Sequence, residues 1–199
     1  MNEKKKENME NFSFKKAASY STGQIADQAA YQTFTFLVFT FYFAVVQLNI
    51  TLITIGFIIW AFWNSINDPL LGYLSDRTHT RFGRRLPYIM IALIPLGIIM
   101  FLLFTPPFSI GTANQIGNFI YFMIIIILFE FFYTMFSLNA TSLFPETFIS
   151  EEERIKANNV RQSFLIIGLM VAFILPGLFI GDYTPSTSAE KTKALGEFK

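Results

Sequence analysis

Residues 86–129 read LPYIMIALIPLGIIMFLLFTPPFSIGTANQIGNFIYFMIIIILF, 44 consecutive positions without a charged side chain. A helix that crosses a hydrocarbon core about 30 Å thick needs about 20 apolar residues. This stretch is therefore two spans, and Pro106-Pro107 through Gly111-Thr112-Ala113-Asn114 is the break between them. Toward the N-terminus, residues 28–67 form a second uncharged stretch of 40, with Leu48-Asn49-Ile50-Thr51 as its break. Toward the C-terminus, residues 162–181 give 20 more. The pattern predicts an all-α polytopic membrane protein with five transmembrane helices, near 20–47, 52–74, 86–105, 119–144 and 162–181. A polar N-terminal tail over 1–19 and a polar C-terminal tail over 182–199 flank this bundle.

The composition agrees. Of 199 residues, 53% are hydrophobic and only 15% charged, and the mean hydropathy is +0.45. Soluble domains carry about 25% charged residues. The formal net charge of +1 offers no electrostatic footprint for nucleic acid. With no Cys and a single His, His79, thiolate chemistry and a His-cluster metal site are both excluded. His79 reads as a solvated loop residue. The 25 Phe are expected to face lipid and neighbouring helices rather than stack on a ligand.

Twelve of the fifteen basic residues fall on one side of the predicted membrane. Lys4, Lys5, Lys6, Lys15 and Lys16 precede the first span. Arg77, Arg81, Arg84 and Arg85 lie between the second and third, and Arg154, Lys156 and Arg161 between the fourth and fifth. None lies in the turns at 48–51 and 106–118. The positive-inside rule then makes the N-terminus cytoplasmic in a multi-pass cell-membrane protein. The basic start is followed by polar residues rather than a short apolar core, so no cleavable signal is expected and the first span directs insertion. Asn49-Ile50-Thr51 fits a glycosylation pattern but lies too near the bilayer to serve.

Carboxylates at bilayer depth are costly, about 2.5–3.5 kcal/mol on insertion scales, and are functional candidates by default. Three occur: Asp27, Asp68 and Glu130. Gln24, Asp27, Tyr31 and Thr35 recur at i, i+3, i+7 and i+11, one helical face bearing an amide, a carboxylate, a phenol and a hydroxyl. Those groups suit a polyol; a helix that starts late would instead leave Asp27 in interfacial water. On the second span Asn64 and Asp68 are i and i+4, with Asn67 beside them. Clustered oxygens bind hard cations, so a sodium ion at Asp68 and Asn64 is one reading. A proton on Asp68, or Asp68 capping a helix break at Pro69, are the others. Glu130, Thr134, Ser137 and Thr141 form a third stripe, which either lines an aqueous cavity or joins helices.

The loop after the second span is the most specific feature. Gly72-Tyr-Leu-Ser-Asp76-Arg77, followed by Arg81 and by Gly83-Arg84-Arg85, is similar to the G-x-x-x-D-R…G-R-R motif of the major facilitator superfamily. The run NDPLLGYLSDRTHTRFGRRLPY (67–88) resembles the glycoside-pentoside-hexuronide:cation symporters, the group of melibiose permease. YTMFSLNATSLFPE (133–146) and Asn158-Asn-Val-Arg161-Gln162 support the resemblance, which covers residues 18–181.

The resemblance implies a cation-coupled symporter for a sugar or glycoside, driven by sodium or a proton and using no cofactor. Asp27 or its neighbour Gln28, with Tyr31 and Arg161, would hold the substrate. Asp68 would serve the coupling ion, and Gly72, Asp76, Arg77, Arg81, Gly83, Arg84 and Arg85 the cytoplasmic gate. The departures are informative. A second cation carboxylate of the family is Asn64 here, and a sugar-holding carboxylate and a tryptophan appear as Ser137 and Thr141. Melibiose is therefore a poor choice of substrate, and a proton or a weaker sodium site becomes more plausible than a strong sodium site. The same wider group includes sodium-dependent lysophospholipid symporters, so a lipid-like substrate is the alternative. Outside transport, a noncatalytic membrane scaffold remains open. An intramembrane enzyme has only the Asp27 and Asp68 carboxylates in its favour, and no enzymatic activity is expected.

Such transporters are built from two six-helix bundles around a midplane site. Five spans resemble an incomplete N-terminal bundle. The expectation is a fragment, inactive alone, whose partners are the lipid bilayer, a small-molecule substrate and the missing C-terminal half.

Overall fold

The computed structural model describes residues 12–81, 83–108, 111–179, 189, 190, 192 and 193. Residues 1–11 of the expected N-terminal tail, and all but four positions of the polar tail at 182–199, lie outside the described residues. The chain is an all-α membrane protein, with no strand among the described residues. Its helices are α1 (Phe14–Thr40), α2 (Ile50–Arg77), α3 (Leu86–Leu103), α4 (Gln115–Thr147) and α5 (Glu151–Phe179). A π-helical turn at Phe41–Val45 follows α1, and a 3₁₀ turn at Thr112–Asn114 precedes α4.

Four of these, α2, α3, α4 and α5 over Glu151–Ile174, are long and apolar enough to cross a membrane. α1 is long enough, at about 40 Å for 27 residues. Its composition falls short because Gln24, Asp27, Gln28 and Gln32 interrupt the apolar run. The helices also outrun the apolar stretches. α5 begins at Glu151, well before residue 162, because the hydrogen-bonded ladder continues through Glu151–Arg161 once Ser150 caps it. The Ser150 hydroxyl accepts from the Glu153 amide at 3.1 Å, and Glu151, Glu152 and Glu153 occupy the first turn, where the helix dipole favours anions.

The residues divide into two compact units: Met1–Thr33 with Ser142–Pro176, and Phe34–Thr141 with Gly177–Lys199. In the first, α1 packs on α5 and on the end of α4. Ala17, Phe148 and Ala157 form the buried centre, surrounded by Phe12, Tyr20, Phe144 and Val160. The free carbonyls at the end of α4 receive cationic donors: Lys16 Nζ reaches Thr147 O at 2.7 Å, and Arg154 Nε reaches Phe148 O at 2.8 Å. At Gly168, α5 comes close to the backbone of α1. A Cβ there would lie 2.9 Å from the Ile25 carbonyl oxygen and 3.0 Å from Gln28 Cβ.

In the second unit, α3 turns Ala92, Leu96, Ile99 and Leu103 inward at i, i+4, i+7 and i+11, and leaves Met90, Ile91, Ile94 and Ile98 exposed. Exposed apolar faces of this kind suit lipid. Buried rings fill the interior: Phe34 stacks on Phe129 at 3.8 Å, and Phe122 packs on Tyr42 at 4.6 Å and on Phe57 at 5.8 Å. The Tyr42 hydroxyl satisfies its polarity on Leu103 O at 3.1 Å.

Because backbone atoms of α1 stand where the new side chain would go, Gly168→Leu is expected to destabilise the protein by about 1–3 kcal/mol. Gly97→Ala, which meets nothing within 4 Å, is expected to be neutral or slightly stabilising. Thermal unfolding in detergent micelles distinguishes them, and equal melting temperatures for the two variants would contradict this packing.

Candidate transport site

In the second unit, two carboxylates from different helices meet through one hydroxyl. Thr134 Oγ1 on α4 lies 3.1 Å from Asp68 Oδ1 on α2 and 3.3 Å from Glu130 Oε1, one turn earlier on its own helix. The Trp60 indole N–H donates to Glu130 Oε2 at 2.9 Å, and the Asn67 amide donates to the Glu130 carbonyl at 3.3 Å. Glu130 is only 3% exposed and Thr134 is buried, whereas Asp68 is exposed. The helical period places Trp60, Asn64, Asn67 and Asp68 on neighbouring positions of α2, and Glu130, Thr134 and Ser137 along one face of α4. Asn64 is half-buried and the partner of Asp68 is Thr134. Glu130 and Thr134 were legible as a stripe; their pairing with α2 was not.

In the first unit, Arg161 Nε donates to Gln24 Oε1 at 3.2 Å, and its guanidinium lies 5.4 Å from the Phe144 ring centre. Gln24 and Asp27 are buried, and Tyr20 is within electrostatic reach of both Arg161 and Asp27. Gln28 is half-buried, with its Cβ at the Gly168 contact. Asp27 is thus buried on α1, and the neighbouring Gln28 packs at the contact of α1 with α5. Tyr31, also half-buried, belongs to this unit. Ser137 (half-buried) and Thr141 (exposed) belong to the other. Tyr20, beside Arg161 and Asp27, is the residue the sequence reading passed over. Its spacing of i, i+4 and i+7 with Gln24 and Asp27 was the available signal.

The loop between α2 and α3 is a compact turn. Gly83 takes φ = +90°, a left-handed conformation that suits glycine, and Thr80 Oγ1 donates to its carbonyl at 2.6 Å. Asp76 pairs with Arg85 at 3.0 Å, the Arg77 guanidinium sits 4.3 Å from the Tyr73 ring centre, and Gly72 has open space beside it. Thr78 and Tyr88 share a hydroxyl contact of 2.7 Å that ties the end of α2 to α3. Arg81 and Arg84 are exposed. His79 Nδ1 stays local, 3.0 Å from the Arg77 carbonyl oxygen. Among the described residues no group of three His, Cys, Asp or Glu side chains converges on a metal position.

A helical membrane bundle with polar and carboxylate clusters at its helix contacts has the build of a secondary transporter. The family model described as MFS/sugar transport protein matches residues 19–195, and the chain belongs to that family. An uncharacterized symporter of Synechocystis sp. is 39% identical over 115 residues, which cover 57% of this chain and 21% of the relative. The isoprimeverose transporter of Lactiplantibacillus pentosus is 24% identical over 172 residues, covering 84% and 35%. Sodium-dependent lysophosphatidylcholine symporter 1 of the mouse is 30% identical over 123 residues, covering 60% and 23%. The chain thus spans well under half the length of these relatives. The expected kinship with major facilitator symporters holds, and the named relatives are transporters.

The Asp76–Arg85 pair joins a half-exposed carboxylate (58%) to a mostly covered guanidinium (12%). Exposed pairs contribute about 0–1 kcal/mol. Asp76→Asn is therefore expected to change thermal stability by less than about 1 kcal/mol. A larger loss in an unfolding experiment would assign the pair a structural role that its exposure does not support.

Proposed function

We propose that the chain is part of a cation-coupled secondary symporter of the cell membrane that carries a sugar or glycoside with sodium or a proton. The observation that carries this reading is the oxygen cluster of Asp68, Thr134 and Glu130, which links two helices of a sugar-transport-family bundle. Asp68, with Asn64 nearby, serves the coupling ion. Asp27, Tyr31 and Arg161 of the first unit serve the substrate, with Arg161 and Gln24 offering donors and acceptors to its hydroxyls. Gly72, Asp76, Arg77, Arg81, Gly83, Arg84 and Arg85 form a cytoplasmic gate, in which the Asp76 pair is made in one conformation and broken in another. The N-terminus is cytoplasmic, in keeping with the one-sided basic residues.

Coupled uptake requires two bundles that rock around a midplane site. We therefore assign activity to a protein of the relatives' full length and none to residues 1–199 alone. A lysophospholipid-like substrate is the second reading, favoured by the mouse relative.

Proteoliposomes holding the full-length protein test this. Glycoside uptake is expected to follow an inward sodium or proton gradient and to lose that dependence in Asp68→Asn. Asn64→Asp is expected to raise sodium affinity by adding a carboxylate. Uptake of lysophospholipid but not of glycosides would establish the second reading. Gradient-driven uptake that survives in Asp68→Asn would remove Asp68 from coupling.

A further inference from the structure

The first unit carries a groove that the transport reading does not use. Phe14, at the start of α1, stands against Asn159, Val160, Ser163 and Phe164 of α5, and these five residues line about 300 Å³. Phe14, Asn159 and Ser163 are exposed. The Ser163 hydroxyl donates to the Asn159 carbonyl at 3.2 Å, so its polarity is met within the helix and the groove is left mainly apolar.

The groove lies where the character of α5 changes. Its uncharged run begins at residue 162, between Val160 and Ser163. Glu152, Lys156, Val160 and Phe164 follow one another at i, i+4, i+8 and i+12, a single helical row that passes from two charges to two apolar side chains. Lys15, next to Phe14, is exposed, and Lys156 Nζ lies 5.8 Å from the Phe12 ring centre. Glu and Lys at i, i+4 on a helix ordinarily attract one another. Among the described residues, however, Glu152, Lys156 and Lys15 have no ion-pair partner. Glu152 and Lys156 are thus two unpaired charges of opposite sign, about 6 Å apart along the axis.

An apolar groove, then a cation, then an anion is the complement of a zwitterionic phospholipid, read from acyl chain to phosphate to amine. Glu151, Glu152 and Glu153 in the first turn of α5 disfavour a lipid of net negative charge. A carboxylate also selects a primary ammonium, which has three N–H donors, over a quaternary amine, which has none. We propose that this groove holds an acyl chain of a phosphatidylethanolamine-type lipid, with Lys156 and Lys15 on its phosphate and Glu152 on its ammonium. This lipid stays with the protein, and its binding does not depend on which substrate the protein carries.

Native mass spectrometry of the delipidated full-length protein tests this, with phosphatidylethanolamine, phosphatidylcholine and phosphatidylglycerol of identical chains as probes. Phosphatidylethanolamine is expected to bind about fivefold more tightly than the other two, the effect of one charge at a membrane surface. Lys156→Gln is expected to weaken all three by about the same factor, because each carries the phosphate. Glu152→Gln is expected to abolish the preference for the primary amine. Ser163→Phe fills the groove and is expected to remove one bound lipid; if that variant does not fold, the two charge variants decide. Equal affinities for the three lipids, or a preference that survives in Glu152→Gln, overturns the proposal. So does a lipid count unchanged in Ser163→Phe, the result expected if another segment of the full-length protein covers the groove.

Discussion

The hydrocarbon core contains no water to satisfy a polar group, and most features of this chain follow from that constraint. Backbone amides and carbonyls must bond within their own segment, so long apolar runs become helices. Side chains obey the same rule less strictly. Tyr42 finds the Leu103 carbonyl, Trp60 finds Glu130, and Tyr121 finds Leu102 O at 2.6 Å. Each of these bonds joins two helices, so the demand for polar satisfaction also specifies which helices are neighbours. Around them, stacked rings such as Phe34 on Phe129 supply close contact where the hydrophobic effect is weak.

Where the helices end, the same requirement produces turns with assigned partners. After α1 the ladder widens, Val46 N bonding to Phe41 O at 3.0 Å, and Gln47 then adopts φ = +60°. The exposed carbonyls are gathered by Gln115 at the start of α4: its amide nitrogen reaches Gln47 O at 2.8 Å and Gly111 O at 3.1 Å, while its oxygen accepts from Asn49 N at 2.8 Å. One side chain thus fastens two turns at a single end of the second unit. Asn49 also caps α2 by accepting from Thr51 N at 2.8 Å. That bond gives the Asn49-Ile50-Thr51 sequence a structural purpose independent of glycosylation.

The breaks at 48–51 and 106–114 were legible because Pro, Gly and Asn punctuate otherwise uncharged runs. The early start of α5 was not, since charged residues carry a helix as well as apolar ones once Ser150 has capped it. Within the site, the i, i+4 spacing of Glu130 and Thr134 was readable, but their meeting with Asp68 depends on the distance and rotation of α2 against α4. No periodicity within one segment encodes that. Asn64 drew attention by its spacing from Asp68, yet the bond formed is with Thr134. For Asp27 and Gln28, adjacent in sequence and equally polar, the difference in packing comes from Gly168, which allows α5 to close on Gln28 Cβ.

Among the described residues, Asp68, Thr134 and Glu130 gather polar oxygens where α2 meets α4 in the second unit. The proposed carrier moves its ion and its substrate together, and the chain belongs to a family of sugar transport proteins. The most direct measurement is ion movement driven by substrate. A glycoside would be added to lightly buffered proteoliposomes containing the full-length protein, without any imposed gradient, and external pH and sodium followed. The account predicts that one coupling ion enters with the sugar, protons leaving the medium alkaline or sodium leaving it depleted. Sugar entry with no change in pH and no entry of sodium would contradict it.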